Sequence, residues 1–224
     1  MSEINLVNKD FLDTLNGFSD DFFAVPGYDD PKYYVYEEKD EGLKYVDEPY
    51  LRECLDLVET GDVVGVPRKH FAQSMRMMVR QDPDKWSEYQ ERVKFEFAAE
   101  IGAHTSALLS YYPPGGYVGW HTNWDATAYQ VLFTYSKNGD GFFRYWDAKK
   151  EEIVTIQDKP GWQARWFYFG DEPETYCWHS AYTAGPRITL AYKFKLPKNY
   201  TNKEEAHKQA QKMRDMLIEE LENE

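Results

Sequence analysis

The region from residue 105 to 196 is a succession of short apolar segments, rich in aromatic residues, that are separated by turn signals. Pro113-Pro114-Gly115-Gly116 marks one turn, and Asn138-Gly139-Asp140-Gly141 is a strong β-hairpin signal. Roughly six or seven short strands at this spacing are typical of a β-sandwich or jelly roll. The predicted strands cover residues 107–112, 128–135, 142–146, 153–156, 163–169, 175–178 and 187–196.

Helical periodicity characterises the segments on either side of this region. Apolar residues recur at i, i+3, i+4 and i+7 from Leu51 to Val58, and this spacing predicts an amphipathic helix. A charged C-terminal segment carries its own apolar stripe, which we expect to pack on the outer face of the sheet. The predicted helices cover residues 48–60, 68–81, 83–101 and 202–224.

The chain of 224 residues has the length of one compact domain with a substantial core. We expect an α+β, mainly β architecture in which residues 1–104 form a helical and irregular support region. Residues 105–200 then form the jelly-roll core, and residues 201–224 add a C-terminal helix.

Charge and cysteine usage exclude several classes of protein. The net charge of −13 would repel a phosphate backbone, so we expect no polymeric nucleic acid as a partner. No apolar run reaches the roughly 18 residues that a membrane helix needs, and no signal peptide is visible, so we expect a cytoplasmic protein. Cys54 and Cys177 lack the spacing of a disulfide framework or zinc site and are expected to be buried free thiols.

Two histidines lie at the ends of predicted strands in aromatic surroundings. His121 follows the Pro-Gly-rich turn, and His179 follows Cys177-Trp178. One such histidine alone is as often a buried, hydrogen-bonded ring as a ligand. Two imidazoles that converge from different strands, however, hold a divalent metal rigidly, and two histidines with one carboxylate leave positions on iron open for co-substrate and oxygen.

The third ligand of such a site is ambiguous. Asn123 lies two residues after His121 and therefore shares its face on a strand, but an amide brings no negative charge. Asp125 has the better chemistry and the less favourable position, and we place it slightly ahead.

Arg187 and Thr189 alternate onto one face of the last predicted strand, opposite Ile188 and Leu190. An arginine that points into an apolar, aromatic interior is costly unless it meets an anion, and its guanidinium suits a carboxylate. An internal salt bridge to Asp or Glu is the alternative. The hydroxyl of Tyr112, beside the Pro-Gly turn, is a candidate to bind the same carboxylate, although packing explains most of the tyrosines there.

Several motifs, taken in order, resemble the 2-oxoglutarate- and Fe(II)-dependent dioxygenases, in particular the small prolyl-hydroxylase-like members of bacteria and phages. The resemblance covers about residues 105–196. The matching segments are Tyr112-Pro113-Pro114-Gly115-Gly116, Trp120-His121-Thr122-Asn123, Gly141-Phe142-Phe143-Arg144-Tyr145, Phe169-Gly170-Asp171, His179 and Arg187-Ile188-Thr189.

The resemblance implies a double-stranded β-helix and a hydroxylase that uses Fe(II), 2-oxoglutarate and O2. His121 and His179 match the iron-binding histidines, whereas Arg187 and Thr189 match the residues that bind the distal carboxylate of 2-oxoglutarate. The chain departs from the family's His-x-Asp motif, because Asn123 occupies the carboxylate position. Asp125, water or halide would then complete the iron site, or metal binding would be weak.

Two other functions are compatible with these residues. One is a cupin-like metal enzyme that uses the histidines without 2-oxoglutarate, and the other is a non-catalytic jelly-roll module that binds a sugar or peptide. The sequence leaves the substrate open between a small molecule and a peptide, and it says nothing about the oligomeric state.

Overall fold

A computed structural model describes residues 2–36, 41–60, 66, 68–123, 128–170, 175–194 and 203–223. The helices are α1 (Lys9–Ala24), α2 (Gly42–Tyr45), α3 (Glu48–Glu59), α4 (Met75–Gln81), α5 (Pro83–Gln90), α6 (Phe97–Glu100) and α7 (Lys203–Glu222), with a π-helical segment at Glu91–Glu96. The strands are β1 (Ser2–Ile4), β2 (Tyr34–Tyr36), β3 (His70–Ser74), β4 (Thr105–Tyr112), β5 (Tyr117–His121), β6 (Ala128–Ser136), β7 (Gly141–Asp147), β8 (Glu152–Gln157), β9 (Gly161–Phe169), β10 (His179–Thr183) and β11 (Arg187–Phe194).

The strands in the described ranges pair in one antiparallel order, β1-β9-β6-β11-β4-β3-β5-β10-β7-β8, with β2 paired to β3. Between β4 and β11 the chain moves back and forth between two groups of strands. One group has the order β9-β6-β11-β4 and the other has the order β5-β10-β7-β8. Two four-stranded groups that share one winding chain in this way form a jelly roll, so the fold is the double-stranded β-helix.

The first group of strands separates the helices from the interior of the roll. On β11, Ile188 and Leu190 pack in the main apolar core with α1, α5 and α7, whereas Arg187 and Thr189 line an internal cavity. This alternation confirms the two faces predicted for the last strand. On the helix side, the hydroxyl of Tyr192 donates a hydrogen bond of 2.6 Å to the carbonyl oxygen of Val93.

The helical predictions hold with one exception. The helices predicted over 48–60 and 202–224 appear as α3 and α7, and the helix predicted over 83–101 appears as α5, the π-helical segment and α6. The prediction of a helix over 68–81 is wrong in its first half, because residues 70–74 form β3. There the strand hydrogen-bonds to both β4 and β5 and joins the two groups, a long-range pairing that overrides local helical preference.

One strand prediction is displaced. We predicted a strand over 175–178, but that segment is irregular and the strand β10 begins at His179. The other strands predicted between residues 107 and 194 are present, with ends that differ by a few residues. Among the described residues, no helix is both long and apolar enough to cross a membrane.

Phe97 sits at the junction of helices and sheet, and its loss tests this interface. Its ring, 1% exposed, contacts Phe18 and Tyr192 with centroid distances of 5.2 and 5.4 Å. We expect Phe97→Ala to lower the free energy of unfolding by about 3–5 kcal/mol, measured by urea denaturation, because it leaves a cavity in the core.

Phe95 provides the matched control, since it lies on the same segment but is 48% exposed. We expect Phe95→Ala to change stability by less than about 1 kcal/mol. Equal losses for the two variants would contradict this description of the core.

Candidate active site

His121 and His179 lie opposite each other on neighbouring strands. His121 is the last residue of β5 and His179 the first residue of β10, and the two form a register pair. Their ring centroids are 4.2 Å apart, and both rings line the internal cavity. The structure therefore brings together two residues that are far apart in the sequence.

An irregularity in β5 makes this alignment possible. His179 pairs with His121, yet Ala181 pairs with Val118, so β5 contains one more residue than β10 between the two pairs. This β-bulge falls at Gly119 and Trp120. The indole nitrogen of Trp120 donates to the carbonyl oxygen of Asp47, and its ring packs beside α3, away from the cavity.

Both imidazoles are oriented by the backbone. Nδ1 of His121 lies 2.8 Å from the carbonyl oxygen of Gly119, and Nδ1 of His179 lies 2.8 Å from that of Cys177. A carbonyl only accepts hydrogen bonds, so both Nδ1 atoms carry the proton and both Nε2 atoms have a lone pair to offer. Burial lowers the pKa of His179 to about 4 and that of His121 well below 6.5, which keeps both rings neutral at pH 7.

Arg68 lies beside this pair and engages Asn123. Its Nη2 donates a hydrogen bond of 2.7 Å to Oδ1 of Asn123, and its positive charge contributes to the lowered pKa of both histidines. The amide oxygen of Asn123 is therefore bound to a guanidinium. Asp125, the other predicted ligand, lies outside the described residues.

The imidazole pair fits a divalent transition metal such as Fe(II), because two neutral rings offer two nitrogen donors. Within the part of the chain that the structure describes, no group of three His, Cys, Asp or Glu residues is placed to hold a metal ion. These residues would thus supply two ligands and no carboxylate.

Arg187, Thr189 and Tyr112 meet at one end of the same cavity. Nη1 of Arg187 donates to the hydroxyl of Thr189 at 2.8 Å, and its guanidinium carbon lies 5.6 Å from the centroid of the Tyr112 ring. All three side chains are buried, and burial raises the pKa of the Tyr112 phenol. Arg187, which the sequence groups with Thr189 and Tyr112, thus contacts both of these residues.

Arg187 also makes the internal salt bridge that was the alternative interpretation. Its Nε donates to Oδ2 of Asp158 at 2.8 Å, and Nη1 of Arg165 lies 3.9 Å from the other carboxylate oxygen. All three side chains are almost completely buried. Two guanidinium groups lie against one carboxylate, so these three side chains together carry a net positive charge. The nearby Glu3 offsets part of this charge at Arg165, and a further anion beside Arg187 would balance the rest.

The cavity has a volume of about 400 Å³, within the range of small-molecule sites. Phe143 and Phe169 form its wall beside the two histidines, with ring centroids 5.7 and 5.0 Å from that of His179. Leu132 and Val118 continue the apolar lining. The cavity thus combines two imidazoles, the buried guanidinium of Arg187 and apolar walls.

The tyrosines near Tyr112 and the other histidines of the chain have different surroundings. Tyr111 packs on Phe22 on the helix side, and Tyr117 stacks on Tyr45. His104 is exposed, and the ring of His207 contacts Tyr129. His70, by contrast, lines the cavity.

The sequence interpretation missed Arg68, Asp158 and Arg165. Asp158 resembles an ordinary turn residue before Lys159-Pro160, and Arg68 was assigned to a helix. Arg165 could have been predicted from the sequence to form a buried ion pair, since a charged residue inside the aromatic segment Trp162–Phe169 needs a buried partner.

The depressed pKa of His179 predicts a pH dependence of stability. The unfolded ring takes up a proton as the pH falls through about 6.5, whereas the folded ring stays neutral down to about 4. Stability conferred by the neutral ring is therefore complete above pH 6.5 and is lost as the pH falls toward 4, by roughly 3 kcal/mol. We expect His179→Gln in metal-free protein to show a shallower loss, measured by urea denaturation at several pH values.

His104→Gln is the control for this experiment, because His104 is exposed. It should keep the wild-type dependence on pH. Identical slopes for His179→Gln and the wild type would show that the folded ring titrates normally.

Asp158 is expected to be essential for the buried cluster. Asp158→Asn leaves the buried guanidinium groups of Arg187 and Arg165 without their shared carboxylate. We expect a loss of about 3–5 kcal/mol in the free energy of unfolding, measured by urea denaturation. Glu152→Gln, which removes an exposed carboxylate paired with Lys150, should cost less than about 1 kcal/mol. Equal small effects would mean that the cluster does not depend on its carboxylate.

No protein-family profile and no curated protein matches this sequence. Among solved structures, the chain is similar to a prolyl-4-hydroxylase of Pseudomonas putida, at 14% identity over 81% of this chain and 100% of that one, with a TM-score of 0.35. It is also similar to a rice dioxygenase for auxin oxidation (15% identity, 86% of this chain, 71% of that chain, TM-score 0.34). An oxalate oxidase gives 10% identity over 53% of this chain and 61% of that chain, with a TM-score of 0.31. Because these identities and TM-scores are low, the fold is assigned here from the strand pairing, and the chemistry is argued from the residues of the site.

Proposed function

We propose that this protein is an Fe(II)- and 2-oxoglutarate-dependent oxygenase. It would hydroxylate an unactivated C–H bond of a small molecule or peptide side chain, with release of succinate and CO2. The observation that carries the proposal is the pair His121 and His179, oriented by the backbone with Nε2 available, in the same cavity as Arg187. The histidine pair alone would account only for a metal, and Arg187 alone would account only for an anion. The two together in one cavity account for both a metal and a dicarboxylate.

The histidines would hold the iron without needing to reorganise. Each ring is fixed by the carbonyl oxygen two residues before it, so its tautomer and direction are set before a metal arrives. Such outer hydrogen bonds increase the basicity of the ligating nitrogen. The third protein ligand is open between Asp125 and Asn123, and water or halide is the alternative if neither binds.

Arg187, Thr189 and Tyr112 would hold the distal carboxylate of 2-oxoglutarate. Asp158 holds Nε of Arg187, which fixes the guanidinium in place. The excess positive charge of the cluster with Arg165 favours an anion at this end of the cavity, and Tyr112 shields it from water.

Iron with 2-oxoglutarate and oxygen supplies the oxidising power that side chains lack, and the protein supplies geometry and a dry cavity. Phe143 and Phe169 keep water away from the imidazoles. The target bond would be presented against these apolar walls. The volume of about 400 Å³ favours a small molecule or a single side chain over a larger ligand.

Anaerobic addition of Fe(II) and then 2-oxoglutarate tests the proposal. We expect the visible charge-transfer band of the iron chelate in the wild type and its loss in His179→Ala, because the metal then keeps only one imidazole. The same titration in Asn123→Ala and Asp125→Ala identifies the third ligand, which is the residue whose removal abolishes the band. Absence of the band in the wild type would refute the proposal.

Arg187→Ala separates this function from a cupin-like metal enzyme that does not use 2-oxoglutarate. We expect the variant to retain Fe(II) and to lose 2-oxoglutarate binding, measured by calorimetry, since the charged partner of the carboxylate is gone. Wild-type protein that takes up Fe(II) but binds no 2-oxoglutarate, so that Arg187→Ala changes nothing, would favour the cupin-like function. Wild-type protein that takes up no Fe(II) would instead favour a non-catalytic binding module.

A further inference from the structure

Among the described residues that line the cavity, the charged side chains are all of one sign. In the described part of the chain, Arg68, Arg187 and Lys193 line the cavity, and no lining residue is Asp or Glu. This contrasts with the chain as a whole, which has 39 acidic and 26 basic residues. A positive interior in a negative protein concentrates field lines toward an anionic ligand.

The basic residues lie at separate places along the cavity. Arg187 and Lys193 are at opposite ends of the inward face of β11, and six residues of a strand span about 20 Å. Arg68 lies on the other side, beside Asn123 and the two histidines. A dicarboxylate bound at Arg187 would therefore not neutralise the positive charge of Arg68.

The partner of Arg68 among the described residues is a neutral amide. Its Nη2 donates to Asn123, whereas Arg187 has the buried carboxylate of Asp158. Arg68 is exposed, so it stands where the cavity opens to solvent. A guanidinium in this position retains donors in a planar arrangement that suits a carboxylate or phosphate.

Apolar side chains line part of the cavity. They include Leu132 and Val118, and Phe143 and Phe169 beside His179. The part of a ligand that lies against these four side chains is apolar, because they offer no hydrogen bonds to it.

We propose that the substrate of this site is a small molecule with an apolar body and one anionic head group, a carboxylate or phosphate, that binds Arg68. This inference rests on the proposed function only in treating the cavity as the substrate site. Arg68 would hold the head group at the opening, and the apolar body would extend past His179 between Phe143 and Phe169. The amide of Asn123 keeps the guanidinium directed toward the site.

Calorimetric titration of the 224-residue chain without added iron or 2-oxoglutarate tests the inference. The probes share a phenyl body and differ in the head group: 3-phenylpropionate, 2-phenylethyl phosphate and the neutral 3-phenylpropanol. We expect at least one anion to bind about tenfold or more tightly than the alcohol, as one charge-assisted contact allows. The stronger of the two anions identifies the head group.

Arg68→Gln should reduce this preference to less than about threefold while the alcohol binds as before. Arg52→Gln is the matched control, because Arg52 lies on the surface of α3 and pairs with Glu48. It should leave all three affinities unchanged. Neither side chain is buried, so both variants are expected to fold.

An equal affinity for all three probes, or an anion preference that survives Arg68→Gln, would overturn the inference. Because no iron is present, these outcomes are independent of the chelate experiment. Loss of the charge-transfer band with a retained, Arg68-dependent anion preference would refute the oxygenase and leave an anion-binding cavity.

Discussion

The two-residue repeat of the β-strand governs the rest of this structure. On β11, every second side chain joins the helix-packed core and the others face the cavity, so apolar Ile188 and Leu190 alternate with polar Arg187 and Thr189. A shift of one residue would place a charge in the core and would turn Ile188 and Leu190 toward the cavity. The hydrophobic core and the functional cavity are thus two sides of one sheet, and packing of the helices fixes which side chains reach the interior.

Buried charge is the second organising element. Asp158 accepts from Arg187 and lies near Arg165, and all three are shielded from water. Buried ion pairs contribute little net stability, although loss of one partner is costly. The arrangement holds Arg187 in one orientation, and under the proposed function it would leave positive charge for a ligand. Structural and functional interpretations of this arginine are therefore compatible.

The sequence predicted what depends on local pattern and missed what depends on distant partners. Alternation and turn residues located most of the strands, and strand-end positions identified His121, His179 and Arg187. β3 was missed because its residues are strand only by virtue of pairing with β4 and β5. Asp158 and Arg68 were missed for the same reason, since each acquires its role from a residue 29 or 55 positions away. The metal ligands all stay predictions, and Asp125 in addition lies outside the described residues.

The bulge at Gly119 and Trp120 makes the site sensitive to chain length more than to side-chain identity. Regular alternation from Val118 would turn Trp120 inward and His121 outward, and the extra residue reverses this. The backbone is also tight here, since a Cβ added at Gly119 would lie 3.0 Å from Cβ of Tyr45. A relative with one residue fewer between Val118 and the histidine would bring the imidazole inward without a bulge, whereas a relative that kept the residue count and lacked the bulge would present an indole there. In comparing such sequences, the count of residues before His121 is as informative as the histidine itself.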